Sequence, residues 1–300
     1  MSSKKIPVIL DTDIGVDIDD TWALGLLLKC PEIDVKLITT ASDDTTVKAR
    51  LVAKFLEIAG RTDIPIGIGP SENRRKGKQY RWIEDYELSH YPGSVHENGI
   101  EVLCSTIMDS PDPVTLIAIG PLGTVAGALK MNPKITENAR FVGMHGSVRI
   151  GYLDSSTPHP EYNVMRDVQA CRDVFQAPWE KTITPLDTCG NIVLSGEHFE
   201  RIMNCDNTIV KLIKENFEIW AKKNRVTKLI TEEKKSSILF DTVAIYLGFS
   251  EELLNIEELI IEVDDKGVTK ISEKGNNIRC ATSWKDVQAF KDLIVNRLVN

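Results

Sequence analysis

Apolar and polar positions along the first seventy residues predict strands and helices in alternation. The runs at residues 6–10, 33–40 and 64–69 have the length and character of strands, and the first is apolar throughout, as in a buried strand. Residues 20–29 and 46–60, between these runs, carry apolar positions at helical spacing. Because strands that alternate with helices pair in parallel through right-handed crossovers, this part of the chain predicts a parallel sheet.

The rest of the chain continues the same architecture. Its short apolar runs and amphipathic stretches predict strands at 114–119, 140–144 and 182–186, helices at 100–109, 166–176 and 196–224, a hairpin at 258–263 and 267–272, and a last helix at 284–298. No shift in composition marks a domain boundary. We therefore predict an α/β fold over residues 1–300, a single Rossmann-like domain with a mostly parallel central sheet flanked by helices.

Residues 70–98 differ from their surroundings because they are polar and aromatic and contain Gly77, Pro92 and Gly93. A long segment without periodic pattern in a compact domain is usually a functional loop. We predict a lid segment near 70–98 and a second one near 217–240.

Composition and charge exclude several classes of function. The chain has 42% hydrophobic residues and a formal net charge of -8, so it has enough apolar residues for a full core but lacks the clustered basic residues that nucleic-acid backbones need. The short basic run at 73–78 is interpreted as a solvated loop. Six scattered cysteines form no zinc-binding or disulfide pattern. With no signal sequence and no membrane-spanning run, we expect a cytoplasmic protein that binds neither nucleic acid nor membrane.

Five acidic residues follow the first strand within ten positions, and a helical pattern begins among them: Asp11, Asp13, Asp17, Asp19 and Asp20. Carboxylates brought together in a fold need a cation, a raised pKa or open solvent. Ligands of α/β sheets bind at the carboxyl ends of the strands, where this cluster falls. Oxygen ligands at this density favour Ca²⁺ or Mg²⁺ over Zn²⁺.

Two other motifs share features with the acidic loop. An EF-hand loop counted from Asp11 would need Gly at its sixth position and Glu at its twelfth, where the chain has Val16 and Trp22. A phosphohydrolase of the haloacid dehalogenase type, with Asp11 as the aspartyl nucleophile, fits the first residues but has Gly15 at the fifth position. That phosphohydrolase, and a non-catalytic ribose-binding protein, remain as alternatives.

Seven segments in order carry a more specific resemblance. They are the acidic loop at 11–24, Thr39-Thr40 with Asp43-Asp44, the helix–strand connection at 59–66, Val95-His96-Glu97-Asn98-Gly99, Gly120-Pro121-Leu122-Gly123-Thr124-Val125-Ala126, Glu161-Tyr162-Asn163 with Asp167, and Phe240-Asp241-Thr242-Val243-Ala244. Together they resemble the inosine–uridine-preferring nucleoside hydrolase family, whose first motif is DTDPGxDDxxAL. The resemblance implies the nucleoside hydrolase fold and hydrolysis of the N-glycosidic bond of a ribonucleoside.

The resemblance also implies roles for individual residues. Ca²⁺ is expected at Asp13, Asp20, Asp241 and the carbonyl of Gly123, and Asp13 is also the expected general base, with His96 of the lid as a second catalytic residue. The expected substrate contacts are Asp17 or Asp19, Asp44, Met144, Glu161, Asn163, Trp220 and Phe240. Loop capping is the alternative role for Glu161 and Asn163, and core packing is the alternative for the aromatic residues. A homodimer or homotetramer is expected.

Two departures from the family pattern concern the substrate. Phe240 stands where the family has a His linked to protonation of the leaving base, and a phenyl ring donates no proton. Two extra residues before the Asp pair leave Asp17 and Asp19 competing for one role. We therefore predict unusual base specificity, for a modified or bulky base or for another N-ribosyl compound.

Overall fold

One sheet of ten strands runs through residues 4–300, the part of the chain that the computed structural model describes. The strands are β1 (Ile6–Thr12), β2 (Ile33–Thr40), β3 (Ile66–Ile68), β4 (Val95–His96), β5 (Val114–Ala118), β6 (Ala139–Met144), β7 (Lys181–Thr184), β8 (Leu254–Val263), β9 (Thr269–Ile271) and β10 (Asn276–Trp284). Their order across the sheet is β4-β3-β2-β1-β5-β6-β7-β10-β8-β9. The first eight strands in this order, from β4 to β10, pair in parallel. Strand β8 then pairs antiparallel with β10, and β9 pairs antiparallel with β8.

Helices cover both faces of this sheet. They are α1 (Asp19–Leu28), α2 (Thr45–Ile58), α3 (Gly99–Met108), α4 (Gly123–Met131), α5 (Tyr162–Arg166), α6 (Val168–Gln176), α7 (Leu186–Cys189), α8 (Glu197–Asn204), α9 (Thr208–Asn224), α10 (Lys228–Thr231), α11 (Thr242–Leu247) and α12 (Val287–Val299). Among the described residues, no helix combines the length and the apolar character that crossing a bilayer requires.

Two hydrophobic cores lie on the two faces of the sheet, and β1 contributes to both. Val8 and Leu10 belong to the core that includes α1, α2, α9 and α12, whereas Ile9 belongs to the core that includes α3, α4 and α6. This division follows from the two-residue period of a strand, which sends successive side chains to opposite faces. The predicted single-domain α/β fold with a mostly parallel central sheet is confirmed.

The strand order places a crevice beside β1. After β1 the chain builds outward through β2, β3 and β4, and it then returns to the other side of β1 with β5. Connections from β1 and β5 therefore diverge at their carboxyl ends, which is the position where open α/β sheets bind ligands. The acidic loop that follows β1 lies at this point.

Two stretches differ from the sequence-based prediction. Strand β10 was not predicted, and Trp284, expected to begin the last helix, is the final residue of that strand. The helical pattern at 196–224 is divided into α8 and α9 because Asn207 begins the second helix by accepting a hydrogen bond from the Val210 backbone N–H.

Candidate active site

The acidic loop turns sharply after β1 and brings its carboxylates to one place. Gly15 has a φ of 101°, a backbone conformation that glycine adopts without strain. Asp19 and Asp20 then occupy the first turn of α1, where negative charge is favoured by the helix dipole. The Asp20 carboxylate accepts a hydrogen bond from Thr12 Oγ1 at 2.5 Å, which ties the start of α1 to the end of β1.

Three buried carboxylates converge at the start of α1. Oxygen atoms of Asp19, Asp20 and Asp241 lie within 4.8 Å of one another, and Asp241 immediately precedes α11. Burial raises the pKa of all three groups well above the ordinary value, and repulsion between like charges adds to this effect. Acids packed this closely in the interior fit a hard divalent cation, which would supply the missing counter-charge.

Asp13 lies beside this trio and is also buried. Burial raises its pKa to about 6, and its Oδ2 atom has no hydrogen-bond partner among residues 4–300. An unpaired oxygen at this position is available to a cation, a water molecule or a substrate hydroxyl. Asp11 does not line the cavity, and its Oδ1 accepts a hydrogen bond from Thr39 Oγ1 at 2.5 Å.

Lys48 is a buried cation that the sequence-based analysis missed. It is 3% exposed, and its Nζ donates a hydrogen bond of 2.6 Å to the backbone oxygen of Asp13. Its charge opposes the effect of burial on the pKa values of Asp11, Asp13 and Asp20. The available signal was a lysine between Val47 and Ala49 on the buried side of the α2 pattern.

A cavity of about 290 Å³ opens above these acids. Six carboxylate residues, three aromatic residues and five others line it: Asp13, Asp17, Asp19, Asp20, Glu161 and Asp241; Tyr152, Tyr162 and Phe240; and Val16, Lys78, Ile119, Met144 and Asn163. The structure thus brings together most of the predicted metal and substrate residues. Val16, Lys78, Ile119, Tyr152 and Tyr162 were not among them.

Glu161 and Asn163 close one side of the cavity. Glu161 accepts hydrogen bonds from the backbone N–H groups of Gly146, Asn163 and Val164, and burial raises its pKa to about 7. Asn163 Nδ2 donates to the carbonyl oxygens of Ile119 and Met144, both at 3.1 Å. Both side chains therefore combine loop capping with a place on the cavity wall.

Aromatic residues form a further part of the cavity wall. Tyr152 and Phe240 meet edge to face with their ring centroids 6.2 Å apart. The Tyr152 hydroxyl accepts a hydrogen bond from the Tyr162 backbone N–H at 2.9 Å. Trp220 does not line the cavity; it is 8% exposed on α9, close enough to Asp17 to interact with that carboxylate.

The structure separates Asp17 from Asp19. Asp19 is buried in the carboxylate trio, whereas Asp17 is half-buried on the cavity wall and accepts a hydrogen bond from the Ile18 backbone N–H at 2.7 Å. Asp17 is therefore an acid of the cavity wall outside the trio.

Two further predicted site residues, His96 and Asp44, lie elsewhere. His96 is exposed in β4 and lines a separate groove with Asn98 and Glu101. Asp44 begins α2 by accepting a hydrogen bond from the Val47 backbone N–H at 3.1 Å. Neither side chain lines the cavity.

Gly123 requires a correction of the expected backbone ligand. It is the first residue of α4 and lines a different surface groove, beside Asp167. Ile119, which directly follows β5, lines the cavity instead, and its carbonyl oxygen accepts a hydrogen bond from Asn163 Nδ2. The strand ends at Ala118, five residues before Gly123.

The segment at 70–98 packs against the acidic loop. Gln79 is completely buried, donates from Nε2 to the backbone oxygen of Asp17 at 2.8 Å, and accepts from Thr21 Oγ1 at 2.8 Å. The Lys78 backbone N–H donates to Gly15 at 2.7 Å. The basic run that was interpreted as a solvated loop therefore ends at the cavity wall, with Lys78.

Comparisons with known proteins agree over nearly the whole chain. The family model for inosine-uridine preferring nucleoside hydrolase matches residues 8–292. A pyrimidine-specific ribonucleoside hydrolase, RihA of Citrobacter koseri, is 28% identical, with 98% of each chain covered. A plant nucleoside hydrolase superposes with a TM-score of 0.82 at 19% identity over 99% of each chain. A purine-preferring ribonucleoside hydrolase from Gardnerella vaginalis superposes with a TM-score of 0.79 at 18% identity over 98% of each chain. The chain is an enzyme that belongs to the inosine-uridine preferring nucleoside hydrolase family.

Proposed function

We propose that this enzyme hydrolyses the N-glycosidic bond of a ribonucleoside with atypical base specificity, and that it uses Ca²⁺ to do so. The main support for this proposal is the position of Asp13. Its unpaired Oδ2 lies beside the trio of Asp19, Asp20 and Asp241 in a cavity of about 290 Å³. Ribonucleoside hydrolysis is the activity of the family to which the chain belongs.

The residues of this site fit a calcium ion. Asp13, Asp20 and Asp241, together with Asp19 of the trio, supply hard oxygen donors, and the carbonyl of Ile119 takes the place first assigned to Gly123. When bound, Ca²⁺ would lower the pKa of a coordinated water and hold hydroxyl groups of the sugar.

The chain itself supplies a base and the sugar contacts. Asp13 accepts the proton of the water that attacks the anomeric carbon, because its carboxylate is unpaired and its pKa of about 6 suits proton transfer near neutral pH. Glu161 and Asn163 hold the ribose hydroxyls from the cavity wall, on which Asp17 also lies. Positioning of this kind favours the oxocarbenium-like transition state of glycoside cleavage.

The alternative phosphohydrolase mechanism is disfavoured by one observation. Its nucleophile would be Asp11, and that side chain is completely buried, bonded to Thr39 and absent from the cavity wall. An attacking carboxylate must reach the substrate, so Asp11 is better explained as a support for the loop.

The decisive experiment measures free ribose after incubation of the Ca²⁺-loaded enzyme with a panel of nucleosides. Ribose release from at least one of them is expected, and Asp13→Asn should lower the rate by about 10²–10⁴-fold. Asp286→Asn, at the start of α12 and outside the cavity, is the matched control, because Asn also caps a helix. Ribose binding without release from any nucleoside would contradict hydrolysis and indicate a binding protein.

The remaining expectations are also proposals. Segments 70–98 and 217–240 act as lids, which the contacts of Gln79 and Lys78 with the acidic loop support for the first. We also propose that the protein forms a homodimer or homotetramer and is located in the cytoplasm.

A further inference from the structure

The cavity lacks the usual proton donor for a departing base. All five histidines lie within the described residues, and none lines the cavity. His90 and His96 are on exposed turns and edges, His198 pairs with Asp292, and His159 accepts a hydrogen bond from the Tyr152 backbone N–H. His145 is buried behind the wall, where burial lowers its pKa to about 4, so it is neutral at physiological pH.

The other groups near the aromatic rings are poor proton donors. Burial raises the pKa of both tyrosines, that of Tyr162 to about 12, which makes their hydroxyls weaker acids. Phe240 offers only a ring face or edge. Lys78 is exposed at the rim, near Asp17.

The same cavity is suited to positive charge. Six carboxylate residues line it against one ammonium, so acids remain in excess even after a divalent cation is bound. Asp17 is outside the trio. Tyr152 and Phe240 also line the cavity, and aromatic rings bind cationic groups through their π-faces, whereas the Tyr162 ring already has the Arg166 guanidinium 5.8 Å from its centroid.

We propose that the preferred substrates are N-ribosides of positively charged heterocycles, such as N-ribosylpyridinium compounds or N7-alkylated purine ribonucleosides. This inference rests on the proposed hydrolysis. In the reaction, the water oxygen bonds to C1′ and the C1′–N bond breaks. Its electron pair neutralises the positive charge of the ring, so the base leaves uncharged without being protonated. The proton of the water passes to Asp13.

The inference is tested with a matched pair of substrates, inosine and N7-methylinosine, which differ by one methyl group and by the formal positive charge that this group places on the imidazole ring. An acid that protonates the leaving group contributes about 10²–10⁴-fold, and only the uncharged substrate needs it. We therefore expect kcat/KM for N7-methylinosine to exceed that for inosine by about 100-fold or more. N-Ribosylnicotinamide should also be hydrolysed faster than inosine. Equal rates, or faster hydrolysis of inosine, would overturn the inference while leaving the proposed hydrolysis intact.

Three variants sharpen the test. Phe240→His introduces a donor and should raise kcat/KM for inosine without a matching gain for N7-methylinosine. Asp17→Asn should raise KM for N7-methylinosine more than KM for inosine. Phe249→His changes a ring outside the cavity and should leave the ratio of the two rates unchanged.

If Lys78→Met selectively abolishes inosine hydrolysis, Lys78 is the proton donor and the inference is wrong. Absence of ribose release from every substrate would instead refute the proposed hydrolysis.

Discussion

At the residue scale, neighbouring acids of the same loop have different environments. Asp19 shares a buried trio with Asp20 and Asp241, whereas Asp17 is half-buried and bonded only to the next backbone N–H. A carboxylate that helps to hold a cation affects every substrate, while one on the cavity wall affects only the substrates it contacts. The consequence is a difference in the severity of the two substitutions.

We predict that Asp19→Asn causes a severe loss of activity on all nucleosides, whereas Asp17→Asn causes a mild loss on uncharged ones. The measurement is kcat/KM for ribose release, and a loss of about 10²-fold or more is expected for Asp19→Asn alone. Equal losses on an uncharged nucleoside would mean that the Asp pair of the family motif has been assigned to the wrong residues.

Glu161 makes stability depend on pH in a defined direction. Burial raises its pKa from 4.5 to about 7, so the folded state binds this proton more tightly than the unfolded state. Its stabilising contribution is complete below about pH 4.5 and is lost as the pH rises through about 7. This pKa shift corresponds to a loss of about 3 kcal/mol in the free energy of unfolding over that pH range.

Glu161→Gln removes this titration and keeps the side-chain shape. We expect the free energy of unfolding of the variant, relative to the native chain, to increase between about pH 5 and about pH 8. Urea denaturation in EDTA measures it, and the aspartates titrate in both proteins and cancel in the difference. A constant difference across this range would show that Glu161 is ionised in the folded state throughout.

At the element scale, α2 delivers one positive charge to the base of the acidic loop. Lys48 donates to the Asp13 backbone oxygen at 2.6 Å, and it is buried. Removing a hydrogen bond from a charged donor costs about 1.5–3 kcal/mol. A bound cation supplies an alternative counter-charge, so it should offset part of this cost.

We expect Lys48→Met to lower the melting temperature in EDTA, and added Ca²⁺ to recover part of the loss. Lys54→Met is the matched control on the same helix, since Lys54 Nζ donates to the Trp82 backbone oxygen and has no contact with the acidic loop. Calcium should stabilise Lys54→Met no more than it stabilises the native chain. If Ca²⁺ restores the melting temperature equally in both variants, the role of Lys48 as a counter-charge is contradicted.

The elements differ in how far their sequences predict them. Strand β2 has the predicted limits because buried Ile33, Val35 and Leu37 alternate with more exposed positions at its start and buried positions follow to its end. Strand β10 was missed because Cys280 and Thr282 occupy inward positions and do not form an apolar run. The carboxylates of the site were found from spacing, but Lys48 and Ile119 were not, since a buried lysine and a backbone carbonyl are distinguished only by the fold around them.

At the scale of the whole molecule, the carboxylate trio connects distant parts of the chain. Asp19 and Asp20 begin α1, and Asp241 precedes α11 more than two hundred residues later. A cation bound between them links the two regions and stabilises only the folded state. Such binding adds about 2.7 kcal/mol to the free energy of unfolding when the free ion concentration is a hundred times its dissociation constant.

We therefore predict that chelation lowers the melting temperature, by about 5 °C for a domain of this size. Differential scanning calorimetry with EDTA and with excess CaCl₂ measures the shift, and MgCl₂ compares the smaller ion. Asp241→Asn should reduce the shift strongly, whereas Asp286→Asn should keep it. A shift that survives Asp241→Asn would place the ion elsewhere.

The position of β10 has a consequence for how the chain folds. This strand lies between β7 and β8, although it follows both of them in sequence. The β8–β9 hairpin therefore has no place on the sheet until residues 276–284 have been synthesised and inserted. Because such late, non-local pairing is slow, the exposed edge of β7 is the vulnerable surface of the nascent protein, and amide exchange should report β7, β10 and β8 as one cooperative unit.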